Sequence, residues 1–312
     1  MTSCLVTGGM GFIGSHLVRS LVVRGDKVRV LDNLSTGHLR NLEGVSNEVE
    51  MINGDLRDES AVARAVEGIK LIFHEAALAS VPRSVAFPLE SHAHCVTGTL
   101  MLLNAARQAG VRRVVYAGSS SAYGNLPFSA KKEADFPTPL SPYAAAKLAG
   151  EFYCQAFFQT YGLETVCLRY FNVFGPRQNP SSPYSAVIPL FIAKLLQGDR
   201  PIIYGDGLQS RDFTFVENVV QANLKAATTQ GAAGMTFNVG TGRSVSLLVI
   251  LEHLQRLLGT RISPQMEPSR VGDVRDSLAD ISQAEKVLGY VPQVDFEEGL
   301  RRTVEFYREG RL

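Results

Sequence analysis

Through the first half of the chain, short apolar runs alternate with stretches whose apolar residues recur at helical spacing. Cys4-Leu-Val-Thr, Val28-Arg-Val-Leu, Val49-Glu-Met-Ile, Leu71-Ile-Phe-His, Val114-Val-Tyr-Ala and Thr165-Val-Cys-Leu-Arg read as strands. Residues 12–24, 59–67, 90–109 and 142–161 read as the helices between them. Strands and helices in strict alternation imply βαβ units and a parallel sheet. The expected architecture is an α/β, doubly wound, Rossmann-type sheet whose ligands bind at the carboxyl ends of the strands. Beyond residue 171 the texture changes. Gly175-Pro-Arg-Gln-Asn-Pro-Ser-Ser-Pro is a turn-rich loop, followed by a helical stretch near 186–197. Phe213 to Ala227 reads as a strand edge entering a helix, Thr236-Phe-Asn-Val as a strand, and 245–312 as two further helices with connections. Residues 1–170, with returning segments near 213–240, are therefore expected to form the nucleotide-binding domain. Residues 171–212 and 241–312 are expected to form a smaller C-terminal substrate domain.

Composition narrows the class of protein. The chain has 312 residues, of which 45% are hydrophobic, and a net charge of +1. That suits a globular protein and offers no basic block for nucleic acid or anionic membranes. No apolar run has the length of a membrane span, and the N-terminus enters a strand without a leader-like segment. Cys4, Cys95, Cys154 and Cys167 are scattered and have no metal-ligand spacing. They read as reduced thiols in a cytoplasmic protein that holds no metal.

Thr7-Gly-Gly-Met-Gly-Phe-Ile-Gly14 puts glycines at 8, 11 and 14 between the first strand and the first helix. Glycine there allows a tight turn, close approach of a pyrophosphate and close helix-to-strand packing. The helix N-terminus offers amide groups to the phosphates. The spacing alone is equally compatible with a plain turn. Asp32 closes the second strand, where a carboxylate accepts from a ribose diol and repels a 2′-phosphate, which favours NAD over NADP. A surface Asp-Asn turn is the alternative. Asp55, after the third strand, is either an acceptor near the adenine or a helix N-cap.

Tyr143 and Lys147 are four residues apart on an expected helix and share a face. A phenol titrates near ~10, too high for a base at neutral pH, and a neighbouring ammonium lowers that value. The pair therefore reads as an acid/base and its tuner, although this spacing also occurs on ordinary solvated helix faces. Ser119-Ser120-Ser121 end a strand at the ligand edge of the sheet. Arginines suit phosphates through their planar fork, which makes Arg211 and Arg270 candidates for a diphosphate, with surface charge as the alternative for each alone.

These parts, with His74-Glu-Ala-Ala77, Tyr123-Gly124, Arg169-Tyr-Phe-Asn172 and Arg211-Asp212, stand in an order that resembles the extended, sugar-nucleotide branch of the short-chain dehydrogenase/reductase superfamily over essentially the whole chain. The resemblance implies Ser119, Tyr143 and Lys147 as catalytic residues. For NAD it implies Gly8, Gly11, Phe12, Ile13, Gly14, Asp32, Asn33, Asp55, Leu56, Ala76, Ala77 and Tyr170, besides Tyr143 and Lys147. For a UDP-sugar it implies Ser80, Ser120, Ser121, Asn172, Val187, Tyr204, Arg211, Arg270, Asp273 and Ser277. Cys95 stands where the family usually has asparagine, and is expected only to pack. Dehydratase relatives carry an Asp-Glu pair at the positions of Ser120-Ser121, and a decarboxylase relative carries glutamate at that of Ser121. Without those carboxylates, the implied reaction is reversible 4-epimerisation. A neutral Asn179 argues against a sugar carboxylate, and a small Ser277 implies room for a 2-acetamido group. The resemblance also implies a homodimer through helices near 92–109 and 142–161, as a four-helix bundle. A UDP-glucuronate 4-epimerase, another UDP-sugar-modifying relative, and a non-catalytic NAD-binding protein are the competing readings.

Overall fold

The computed structural model describes residues 1–126, 130–180, 186–268 and 275–310. Seven strands form one parallel sheet: β1 (Ser3–Thr7), β2 (Lys27–Asp32), β3 (Val49–Asn53), β4 (Leu71–His74), β5 (Arg113–Ser119), β6 (Glu164–Tyr170) and, much later, Thr236–Val239. The order across the sheet places β3, β2, β1, β4, β5 and β6 side by side, with Thr236–Val239 on the β6 edge. The chain thus reverses direction between β1 and β4, where ligands of doubly wound sheets bind. β4 and β5 are buried almost throughout. This explains why they read as unbroken apolar runs rather than alternating ones.

Helices cover both faces. They are α1 (Phe12–Val23), α2 (Glu59–Val66), α3 (Val81–Ala86), α4 (Pro88–His92), α5 (Gly98–Gln108), α6 (Pro142–Tyr161), α7 (Val187–Leu196), α8 (Val216–Thr228), α9 (Leu247–Leu258), α10 (Ser282–Leu288) and α11 (Phe296–Arg308). The stretch expected as one helix over 90–109 is instead α4, a π-helical turn at Ala93–Thr97, and α5. Residues 245–310 hold three helices rather than two, because Gly289 adopts φ +63 and ends α10 before α11 starts. Ser141 caps α6 through the Ala144 amide, Pro142 fills its first position, and Gly162 ends it in the left-handed region.

A second hydrophobic cluster lies beyond the strand ends and joins Phe174, Phe191, Phe213, Phe215, Leu254 and Leu300. Residues 282–290 do not join it. Ala284, Leu288 and Tyr290 pack in the cluster under the main sheet, so this part of the expected C-terminal region is built onto the nucleotide-binding side. Small strands knit the second region together: Ser210–Arg211 lies between Val245–Ser246 and Asp276–Ser277. Asp212 clamps these segments. Its buried carboxylate accepts from Thr241 N and Oγ1, Gly242 N and Ala279 N, which replaces the water that burial removes.

Candidate active site

The turn from β1 to α1 forms one wall of a cleft of about 280 Å³, whose lining includes Gly8, Gly11, Phe12, Ile13, Gly14, Asp32, Asn33, Asp55, Leu56, Ala76 and Ala77. Two glycines are required by contact. Gly8 has φ +69, and a Cβ there would lie 2.8 Å from Ala76 Cα. A Cβ on Gly14 would lie 2.1 Å from the Gly8 carbonyl oxygen, so any side chain would force the turn open. α1 starts at Gly11 with no side-chain cap and no acidic residue in its first turn. By contrast α2, α6 and α11 are capped by Asp58, Ser141 and Asp295. The helix facing the cleft is thus left with amide donors for an anion.

At the other end of the cleft, Asp32 accepts from the backbone amides of Met10 and Leu34, both at 2.9 Å. A carboxylate offers about four acceptor sites, so two are left for hydroxyls of a ribose. Asp55 is not the N-cap of α2; Asp58 is. Asp55 receives Asn33 Nδ2 at 2.7 Å and both arms of Arg57, whose hydrogen bonds hold its carboxyl well below the usual range. These features fit a dinucleotide: a glycine cradle, free helix amides, and a carboxylate at the end of β2.

His74 fastens the floor of the site. Its Nδ1 is 2.8 Å from Thr7 Oγ1 and its Nε2 2.8 Å from Thr99 Oγ1. Thr99 donates its own proton to the Cys95 carbonyl. It therefore accepts from His74 Nε2–H, and Nδ1 accepts from Thr7, which defines a neutral ring. Burial, helped by the Lys147 charge, pushes the His74 pKa down to about 3.

Ser119 ends β5, next to Tyr170 on β6. Its hydroxyl is 2.8 Å from Ser121 Oγ and accepts from the Ser121 amide. It also hydrogen-bonds with Tyr143, an interaction that eases ionisation of the phenol. Ser119 is thus brought together with Tyr143. Lys147 follows one turn later on α6, buried, with Nζ 4.6 Å from the centre of the Tyr116 ring. One expectation changes here. The protein's own groups make Tyr143 harder to ionise than free tyrosine, through burial first and Cys95 second. Lys147 also exerts its field on His74 and Glu75.

Two further residues lie near the centre, and only Cys95 of them was singled out from the sequence. Cys95 is buried in the π-helical turn and packs with Leu78, Val96 and Ala146. Insertions of this kind often mark functional positions, but no sequence pattern signals them. Glu75 lines the cofactor cleft, although carboxylates were expected to be missing from the centre. Its place at the end of β4, straight after the buried His74, was the available signal. Tyr170 is packed under the sheet, and its hydroxyl donates to Glu75 rather than facing the cleft directly.

The sugar side is less concentrated. A second pocket of about 240 Å³ is lined by Asn172, Val187, Gln209 and Arg211, among others. Asn172 has φ +31 and reaches the Asp212 carbonyl at 3.2 Å and Ser277 Oγ at 3.5 Å. Arg211 donates to the Arg275 carbonyl at 2.7 Å, and its strand pairs with that of Ser277. Ser277 thus neighbours two lining residues, Asn172 and Arg211, without itself lining the pocket. Tyr204 is not among its lining residues. Ser80 is used as the N-cap of α3, where it accepts from the Arg83 amide. Ser120 and Ser121 sit in the turn after β5. Asn179 lines the cofactor cleft rather than this pocket. Arg270 and Asp273 lie outside the described residues.

Residues 4–240 match the family described as NAD dependent epimerase/dehydratase. The chain belongs to this family. UDP-glucose 4-epimerase of Mycolicibacterium smegmatis is 41% identical over 97% of this chain and 98% of its own length. The structure of a UDP-N-acetylglucosamine 4-epimerase from Methanobrevibacter ruminantium, in complex with UDP-N-acetylmuramic acid, superposes with a TM-score of 0.95 at 40% identity and covers 99% of both chains. The UDP-glucose 4-epimerase of Thermus thermophilus in complex with NAD superposes with a TM-score of 0.90 at 37% identity, covering 98% of this chain and 99% of that one. The cofactor of this family member is NAD, and the cleft between Gly8 and Asp55 has the donors and acceptors to hold it. Among the described residues, no helix is long and apolar enough to cross a membrane.

Proposed function

We propose that this enzyme is an NAD-dependent 4-epimerase that interconverts UDP-glucose with UDP-galactose and UDP-N-acetylglucosamine with UDP-N-acetylgalactosamine. The observation that carries the reading is the hydrogen bond between Ser119, at the carboxyl end of β5, and Tyr143, with Lys147 buried one turn later on α6. When bound, NAD supplies a hydride acceptor that returns what it takes and a cationic ring that favours the phenolate. Ser119 holds the sugar hydroxyl, and Tyr143 takes its proton and later gives it back. Lys147 keeps a positive charge at the buried end of the site. Arg211, with Arg270, grips the diphosphate. Positions 120 and 121 carry hydroxyls, so no carboxylate there is placed to expel water or carbon dioxide from the keto sugar. Glu75 is on the cofactor wall instead.

The division of labour follows the same lines: residues 1–170 with 213–240 hold the cofactor, and 171–212 with 241–312 the UDP-sugar, less the segment 282–290. We also propose a homodimer through a bundle that includes α6. Val85, Phe87, Leu89 and Phe152 are 65%, 57%, 85% and 54% exposed on α3, α4, their junction and α6, which pack on one another. α5, the other expected partner, exposes no large apolar side chain. Light scattering of the purified protein checks the assembly. A cytoplasmic location, consistent with four free buried cysteines, belongs to the same proposal.

The experiment is to incubate the purified protein with each UDP-sugar, without added cofactor, and to separate the products by chromatography. Both epimer pairs should interconvert with no loss of water or carbon dioxide. Because Ser277 contacts Asn172 of the pocket wall, Ser277→Tyr should lower turnover of the N-acetyl pair relative to the glucose pair by roughly tenfold or more, the scale of a steric mismatch. Equal loss of both pairs would remove Ser277 from the specificity argument.

A further inference from the structure

Residues between Gly8 and His94 supply the lining of the cofactor cleft, with one exception. Among the described residues, only Asn179 reaches the cleft from the later part of the chain. The segment that carries it begins in the other pocket. Asn172, Val173 and Phe174 line the sugar side, and a few residues later the chain has crossed to the cofactor side.

This crossing is fastened at three points. The Pro176 carbonyl accepts from His16 Nε2 at 2.9 Å. Gln178 Nε2 donates to the Val173 carbonyl at 3.1 Å. The Gln178 carbonyl accepts from the Tyr307 hydroxyl. Between them Arg177 holds φ +68, with its guanidinium 3.3 Å from His16 Nε2 and above the Phe306 ring. A left-handed arginine is strained and persists only where its neighbours over-determine it. His16 lies on α1 one turn after Phe12, and the two rings meet edge to face at 6.0 Å. Burial, with the Arg177 charge beside it, lowers the His16 pKa to about 4, so the neutral ring spends its one N–H on Pro176.

The segment is thus pinned to the helix whose uncapped N-terminus faces the cleft. Asn179 is three residues on from Pro176 and so lies within about 10 Å of that anchor. It is exposed, and it shares the cleft lining with Gly11, Phe12 and Ile13 at the start of α1. A carboxamide offers two N–H donors and an acceptor, so it can hold its own loop and a ligand at once. The pyrophosphate is the anionic part of NAD, and it belongs at a helix N-terminus of this kind.

We propose that Asn179 is a cofactor-binding residue that donates to the pyrophosphate of NAD from the sugar side of the molecule, with the segment 175–179 strapping the cofactor against α1. This rests on the cofactor assignment above and deepens it. An enzyme that regenerates its NAD within each turnover has no need to exchange it, and the strap slows that exchange.

The test is the rate of NAD release. The full-length protein is loaded with radiolabelled NAD, chased with excess unlabelled NAD, and the bound label is followed by rapid filtration. Asn179→Ala should release NAD roughly tenfold or more faster than wild type, the size of one lost hydrogen bond to an anion. Asn179→Asp keeps the shape but sets a carboxylate against the phosphates, and should release it faster still. Because Asn179 is exposed, both variants should unfold at the wild-type temperature once freed of NAD. If they unfold early to the same extent, Asn179 braces its loop rather than the cofactor and the proposal is overturned. If Asn179→Asp holds NAD as long as wild type, the residue does not face the pyrophosphate, with the same consequence. The proposal also fails if the variants raise KM for UDP-glucose while NAD release stays at the wild-type rate. A wild-type protein that binds no labelled NAD would overturn the cofactor assignment itself, an outcome distinct from these.

Discussion

The cofactor cleft and the sugar pocket differ in how the chain builds them. The cleft is made of local pieces: one glycine turn, the ends of β2 and β3, and the residues just after β4. Each piece is a few consecutive residues at a strand end, and backbone geometry does much of the work. The sugar pocket draws on Asn172, Val187, Gln209, Arg211 and Leu247, which lie far apart in the chain, and backbone pairing of short strands brings them together. The lesson is that the first site tolerates little substitution but is robust in its assembly. The second tolerates side-chain change and determines which substrate is used.

Tyr143, which belongs to neither wall, should give the largest effect. Tyr143→Phe removes the only hydroxyl of the pair that can carry the proton, while the ring still packs. Epimerisation should fall about a thousandfold, within the usual ~10²–10⁴ range for a general acid/base. The bound NAD should be retained, and stability should hold or rise, since a buried hydroxyl is lost. Product chromatography and cofactor release on denaturation measure the two halves of this statement. Normal turnover by the variant would separate Tyr143 from the chemistry.

The comparison itself is sharpest in a pair of substitutions. Gly14→Ala places a methyl 2.1 Å from the Gly8 carbonyl oxygen, so the turn must move. The purified variant should lose its NAD and unfold at lower temperature. Arg211→Ala removes a charge from the sugar side, where the Arg275 carbonyl is its strand neighbour. KM for UDP-glucose should rise about 30- to 100-fold, the size of a lost charged phosphate contact of ~2–3 kcal/mol. The NAD content should not change. If Arg211→Ala also sheds NAD, the two regions are not separable in this way.

This difference also explains what the sequence could reveal. The sheet was legible because buried parallel strands are written as unbroken apolar runs, and β1, β4 and β5 are clear examples. The β1–α1 turn was legible because only glycine fits at Gly8 and Gly14. The break between α4 and α5 was not, because the extra residue of a π turn at Ala93–Thr97 leaves the apolar pattern nearly intact. Arg169 illustrates the opposite error of emphasis. It stands in the most distinctive motif, yet it pairs with Glu151 at 2.6 Å, lies over the Tyr123 ring and is buried, so it braces the sheet under the site. Asp55 had two readings, cap or ligand contact, and only three-dimensional partners could separate them. Lys147 is buried beside the Tyr116 ring, which helix spacing alone does not reveal.

The smallest effect concerns how the cofactor region depends on acid. His74 is held neutral between Thr7 and Thr99, with a pKa of about 3 against an ordinary value of 6.5. In the unfolded chain the ring gains a proton below its ordinary pKa; in the folded protein it does not. The stability is therefore complete above about pH 6.5 and declines as the pH falls toward 3. At about pH 5 the loss is ~2 kcal/mol for this one group, since each pH unit below the unfolded pKa is worth about 1.4 kcal/mol. His16 has the same sign. Burial lowers its pKa to about 4, and its Nε2 is 2.9 Å from the Pro176 carbonyl at the edge of the sugar side. Urea unfolding of wild type and His74→Gln between about pH 7.5 and 5 isolates the cofactor-side term, because the other titrations cancel in the difference. Wild type should lose ~2 kcal/mol more than the variant over that interval. Parallel curves would mean that His74 takes up its proton without disturbing Thr7. The link between the floor of the site and the glycine turn would then be weaker than its two short hydrogen bonds suggest.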